Sequence, residues 1–89
     1  MTPSAFTFKL TVPNDPEGVI VVAAMTAHAV EYANLDGSAG AAFVERVRGV
    51  ARQALTSATG TSCLAVIAAA NGQLTVTIGG QSASQPLPA

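Results

Sequence analysis

Thr61-Ser62-Cys63-Leu64-Ala65-Val66-Ile67-Ala68-Ala69-Ala70-Asn71-Gly72-Gln73-Leu74-Thr75-Val76-Thr77-Ile78 is the stretch that decides the fold. Asn-Gly between two such runs signals a type I′ hairpin, because both central residues of that turn need a positive φ. Residues 61–69 are apolar at odd and even positions alike, which predicts a central strand covered on both faces. Residues 73–78 alternate instead, with Leu74, Val76 and Ile78 inward and Thr75 and Thr77 outward. Gly79-Gly80 ends that strand.

Two helical patterns precede the hairpin. The second runs from Ala39-Gly40 to about Ala58, with Phe43, Val47, Val50, Ala54 and Ala58 as its buried stripe and Gly60 as its stop. That stripe is expected to pack on Leu64, Val66, Leu74 and Val76. The first begins at Asn14-Asp15-Pro16-Glu17, where Asp15 can cap, Pro16 suits the first helical position and Glu17 complements the helix dipole. It extends to about Asn34 and turns Val19, Val22, Ala23, Thr26, Val30 and Ala33 toward the sheet. Asn34 to Ser38 is a turn, with Ser38 as the cap of the second helix. Ahead of both helices, Phe6-Thr7-Phe8-Lys9-Leu10-Thr11-Val12 alternates strictly, as a half-buried antiparallel strand does, and Pro13 ends it.

The order strand, helix, helix, strand, strand predicts an α+β two-layer sandwich, two helices packed on one face of a mainly antiparallel sheet. Thr7, Lys9, Thr11, Thr75 and Thr77 make the other face polar. Residues 1–80 form the single α+β domain. Residues 81–89, polar with Pro86 and Pro88, are expected to be a disordered C-terminal tail.

Composition narrows the function. The chain has 89 residues, 49% of them hydrophobic and 10% charged, which excludes a disordered chain. A net charge of −1 with four basic residues argues against nucleic acid as partner. No apolar run reaches the roughly 18–20 residues of a membrane span, and a cytoplasmic location is the expectation. Cys63 is alone, so an intramolecular disulfide and a cysteine-rich metal site are both excluded. The core must be built from small side chains, since alanine is abundant and aromatics are 4%. Such a core buries little area per residue, and oligomerisation is one remedy.

Two surface features point to partners. Val21, Met25, His28 and Tyr32, with Ala29 beside them, form a second stripe on the first helix that one sheet does not need. Apolar patches of this kind mark interfaces, and a homodimer is the expected use. Arg46, Arg48 and Arg52 read either as a solvated face or as a docking patch for an acidic partner. His28 has no second histidine or cysteine pair with which to hold a metal.

Residues 8–80 resemble the front part of the histidine-kinase-like ATPase fold, in the small branch that includes anti-sigma-factor serine kinases. The resemblance rests on the Pro13-Asn14-Asp15-Pro16 turn after the opening strand, the short Asp36-Gly37 loop, and the second helix followed by a hairpin. In that family the second helix carries Glu-Ala-x-x-Asn, which serves catalysis and holds the magnesium of Mg-ATP. The matching segment here is Gln53-Ala54-Leu55-Thr56-Ser57. The resemblance thus implies Gln53 and Ser57 as a relic cofactor pocket, read alternatively as boundary residues beside the buried stripe. Gln53 is not ionisable and cannot act as a general base. Ile78-Gly79-Gly80 stands where the family has an Asp-x-Gly that reads adenine.

These readings lead to a non-catalytic, regulatory protein-interaction module with no catalytic residues, no metal and no cofactor. The resemblance implies a sigma factor or its regulator as partner. The alternatives are a nucleotide-binding regulator or weak serine kinase that completes an ATP and magnesium site with another chain, and a structural assembly subunit.

Overall fold

A computed structural model describes residues 5–33, 35, 37–57 and 60–87, with Thr56 and Ser57 described in their backbone only. The elements are β1 (Phe6–Pro13), α1 (Pro16–Tyr32), α2 (Gly37–Ser57), β2 (Ser62–Ala70), β3 (Gln73–Ile78) and β4 (Gln81–Pro86). The strands form one antiparallel sheet in the order β1-β2-β3-β4. Both helices lie on one face, α1 mainly against β1 and α2 mainly against β4 and β3. This is the two-layer α+β architecture that the sequence predicts, with one strand more.

Each turn has a local cause. Asn71 and Gly72 take φ of 55° and 75° and join Ala70 to Gln73, the type I′ geometry expected of Asn-Gly. Gly79 takes φ of 59° and, with Gly80, joins Ile78 to Gln81 in a second two-residue turn. That turn corrects the expected disordered tail, because it folds residues 81–86 back onto β3. The strand is so polar that it carries no strong apolar alternation; only Ala83 on it, and Leu87 just beyond, pack partly against the core. Backbone pairing with β3 and the cover of α2 hold it instead.

Register explains which face is buried. Phe8, Ile67 and Val76 lie across one another on the helix side, as do Leu10, Ala65 and Ile78. A period of two then places Thr11, Leu64, Lys9, Val66 and Thr77 on the opposite side. β2 is therefore central but covered on one face only. Leu64 is 53% exposed, and Leu64 and Val66 do not pack under α2 as expected. Their places are taken by Ile67 and Ile78, both fully buried.

The α2 stripe shifts by one residue at Val50, whereas the α1 stripe is buried as expected except at Val19, which is half-buried. Phe43, Val47, Ala51, Ala54 and Leu55 are buried on α2, while Val50 is half-buried, and Ala58 lies outside the described residues. On α1 the buried set is Gly18, Val22, Ala23, Thr26, Ala29 and Val30, with Ala33 just after it. Thr26 satisfies its buried hydroxyl by donating to the Val22 carbonyl at 2.8 Å. Asp15 caps α1 as predicted, its Oδ1 accepting from Glu17 N at 2.9 Å and Gly18 N at 3.2 Å. The second helix starts earlier than expected, at Gly37, so Ser38 lies inside it and is not its cap.

Gly18 fixes the close approach of this corner. A Cβ there would stand 2.0 Å from the Pro13 carbonyl oxygen and 2.9 Å from Leu55 Cδ1. The helix start thus seats against the end of β1 and against α2 in a way only glycine allows.

Two stability changes test the one-sided sheet. Ile67→Ala should lower unfolding free energy by about 2–5 kcal/mol, as deep large-to-small changes do. Leu64→Thr, on the open face and in a β-favouring side chain, should change it by no more than about 0.5 kcal/mol. Urea denaturation of both variants checks the pair.

Candidate functional site

The outer surface of the helical layer is not flat. Between α1 and α2 runs a groove of about 1080 Å³. Val19, Ile20, Ala23, Ala24, Ala27 and Val44 give it an apolar lining. Small side chains on α1 make the depression, since alanine at 23, 24 and 27 leaves space that larger residues would fill. Ile20 stands on its α1 side, 66% exposed.

One end of the groove is polar. Asn14, Asp15 and Gly60 close it, with Gln53 beside them. Asn14 ties the end of β1 to the chain entering β2: its Nδ2 donates to Gly60 O at 3.0 Å and its backbone N–H to Thr61 O at 3.2 Å. The Asn14 Oδ1 is buried and accepts no hydrogen bond. Asp15 is already engaged as the cap of α1.

Arg48 and Arg52, one helical turn apart on α2, form the cationic side. Arg48 Nε lies 3.8 Å from Glu45 Oε1, close enough for charge attraction and too far for a hydrogen bond. Its N–H is shielded from solvent without an acceptor. Glu45 is well exposed, so water weakens that attraction. The Arg48 side chain is still 41% exposed, so a carboxylate entering the groove can reach the outer part of its guanidinium for a charge-assisted hydrogen bond.

The residues singled out in the sequence fall in three places. Arg46 separates from the other two arginines, because two residues along a helix turn the side chain about 160° away. It hydrogen-bonds Gln85 of β4, and its guanidinium lies 5.3 Å from the centre of the Phe43 ring. Arg46 is thus a roof over the core, and the docking patch reduces to Arg48 and Arg52. Gln53 lines the groove. The side chain of Ser57 lies outside the described residues. Gly79 sits instead beneath α2, where an added Cβ would be 3.7 Å from Cys63 Sγ and 3.9 Å from Ala54 Cβ. Gln53 and the Gly79-Gly80 turn therefore do not line one groove.

The α1 stripe also needs correction. Ala29 is fully buried and is no surface residue, since it faces the sheet. Met25 is half-buried against the core, Val21 is 40% exposed and His28 is exposed. Tyr32 is 52% exposed, yet its ring centre lies 5.0 Å from that of Phe6 and 6.2 Å from that of Phe8. The stripe thus ends in an aromatic cluster at the edge of the sheet, which the helix pattern alone could not reveal.

No family model, curated protein or solved structure matches the chain. Among the described residues no group of three His, Cys, Asp or Glu could hold a metal ion, and no helix is long and apolar enough to cross a membrane.

The polar end of the groove depends on the Asp15 cap. Asp15→Ala should cost about 0.5–2 kcal/mol of stability, as loss of such a cap does. Asp15→Asn should recover most of it, since an amide oxygen accepts the same bonds. Thermal unfolding of the two variants measures the difference.

Proposed function

We propose that the protein is a non-catalytic interaction module that docks an acidic, amphipathic helix of a protein partner between α1 and α2. The observation that carries this reading is the apolar groove flanked by Arg48 and Arg52, with the Arg48 side chain 41% exposed beside it. Helix-in-groove recognition uses apolar anchors along one face of the ligand helix, and charge at the rim sets its orientation. The lining from Val19 to Ala27 accepts the anchors. The two guanidinium groups pair with Glu or Asp at successive turns of the incoming helix. The resemblance to anti-sigma-factor kinases supports a regulatory partner, a sigma factor or one of its regulators. Glutamine at position 53 and the absence of a carboxylate in Ile78-Gly79-Gly80 support binding without phosphoryl transfer.

A charge swap tests the docking. A labelled, Leu-faced helical peptide flanked by Glu should bind with micromolar affinity in fluorescence anisotropy. The double variant Arg48→Glu, Arg52→Glu should bind it roughly tenfold or more weakly, and should prefer a Lys-flanked version of the same peptide. No binding of the Glu-flanked peptide at about 1 mM, or equal binding by the double variant, would overturn the reading. Mg-ATP serves as the contrasting ligand. A true nucleotide site would gain about 2.7 kcal/mol at one hundred times its dissociation constant, and a thermal shift of that kind would favour the nucleotide-binding alternative.

A further inference from the structure

Among the described residues, the side of the molecule away from the groove is open in both layers. In the sheet layer, β1 is an edge strand of eight residues, paired with β2 on one side only. Natural edge strands are blunted by internal proline, bulges, several charges or a covering loop. Residues 6–12 contain no proline and one charge, Lys9, and pair with β2 without a skipped residue. In the helix layer, Val21, Met25, His28 and Tyr32 occupy the flank of α1 turned away from α2. The two layers meet at Phe6, Phe8 and Tyr32, three of the chain's four aromatic residues, with Phe6 and Phe8 centres 5.1 Å apart.

We infer that this side binds a second copy of the chain, β1 pairing antiparallel with the partner's β1 about a two-fold axis to make one eight-stranded sheet. The occupant follows from the shape and chemistry of the surface. A lone extended peptide would satisfy the strand edge and leave the α1 flank bare. A second copy has the same two layers at the same height, and a two-fold normal to the sheet keeps both helical layers on one face. The α1 flanks then meet above the junction, and the aromatic clusters of the two copies close over it.

The pattern of β1 is its own complement. Placing Phe8 opposite the second Phe8 sets Phe6 against Leu10 and Thr7 against Lys9. Apolar positions then face apolar positions, and each lysine faces a threonine, so no like charges oppose. In this register residues 6–10 of the two strands pair over about 17 Å at roughly 3.4 Å per residue, and the α1 flank from Val21 to Tyr32 spans about the same length at roughly 1.5 Å per residue. Sheet edge and helix flank together therefore offer a continuous contact.

Sedimentation equilibrium of the full chain tests the inference, with two aspartate variants on the exposed side of α1. The wild type should be a dimer at about 100 µM. Val21→Asp buries an unpaired charge in the proposed contact and should weaken dimerisation roughly a hundredfold or more. Ile20→Asp, one residue round the helix on the groove side, should leave the dimer intact. Far-ultraviolet circular dichroism should match the wild type for both, since both side chains are exposed in the single chain. A monomeric wild type would overturn the inference. So would a dimer lost with Ile20→Asp and kept with Val21→Asp, which would move association to the groove. Because the peptide test reads the groove and this test reads the opposite flank, either can fail without the other.

Discussion

One layer of helices covers one face of one sheet, and the rest of the structure depends on that contact. Phe43 and Val47 of α2, with Val22 of α1, are fully buried above Ile67, Leu74, Val76 and Ile78. With Val12, Val30 and Leu55 they are the larger side chains of a core in which Ala23, Ala29, Ala51, Ala54, Ala65 and Ala69 fill much of the rest. Phe43 is the largest of them, and Arg46 closes the ring from above while binding β4. Area buried sets hydrophobic stabilisation, so a core of this composition gains little per residue and needs close approach of its layers. Close approach comes from small residues at the contacts, Gly18 above all.

The same economy leaves surfaces unfinished. A helix of alanines packs near its neighbour below and leaves a depression above, and that depression is the groove. A two-layer fold with an edge strand at β1 leaves backbone groups and half-covered aromatics along one side. Neither surface needs a catalytic residue to be useful. In the proposed contacts each takes another polypeptide, the groove a helix with carboxylates and the edge a strand with its own layer of helix. The two lie on opposite flanks of α1, so one helix separates the two contacts.

The backbone plan was legible in the sequence because its signals are local. Alternation in residues 6–12 and 73–78, the Asp15-Pro16 start and the Asn71-Gly72 turn each act within a few residues. β4 was not legible, since Gln81-Ser82-Ala83-Ser84-Gln85 has no strong apolar alternation and is held by pairing that a single strand does not announce. The α2 stripe read one residue off at Val50, because Ala51 buries as well as valine in a tight layer and carries a weaker hydrophobic signal. The apolar run of β2 suggested cover on both faces, yet alanine and half-exposed valine tolerate an open one. At the site, Gln53 was readable as a boundary residue beside the stripe, and Arg48 and Arg52 as part of an arginine face. The groove itself was not, because it is made by what Ala23, Ala24 and Ala27 omit. Arg46 looked like a third docking arginine until the fold brought Phe43 and Gln85 to it.

The central claim is that the one-layer fold is completed by contacts outside the single chain, first of all along β1. Amide hydrogen exchange, followed as protein concentration rises from about 1 to 100 µM, reads those contacts directly on the backbone. Pairing along the free edge predicts that protection of the β1 amides facing away from β2 rises with concentration, while that of β2 and β3 amides in the centre of the sheet stays level. Protection of β1 that is the same at both concentrations would contradict it.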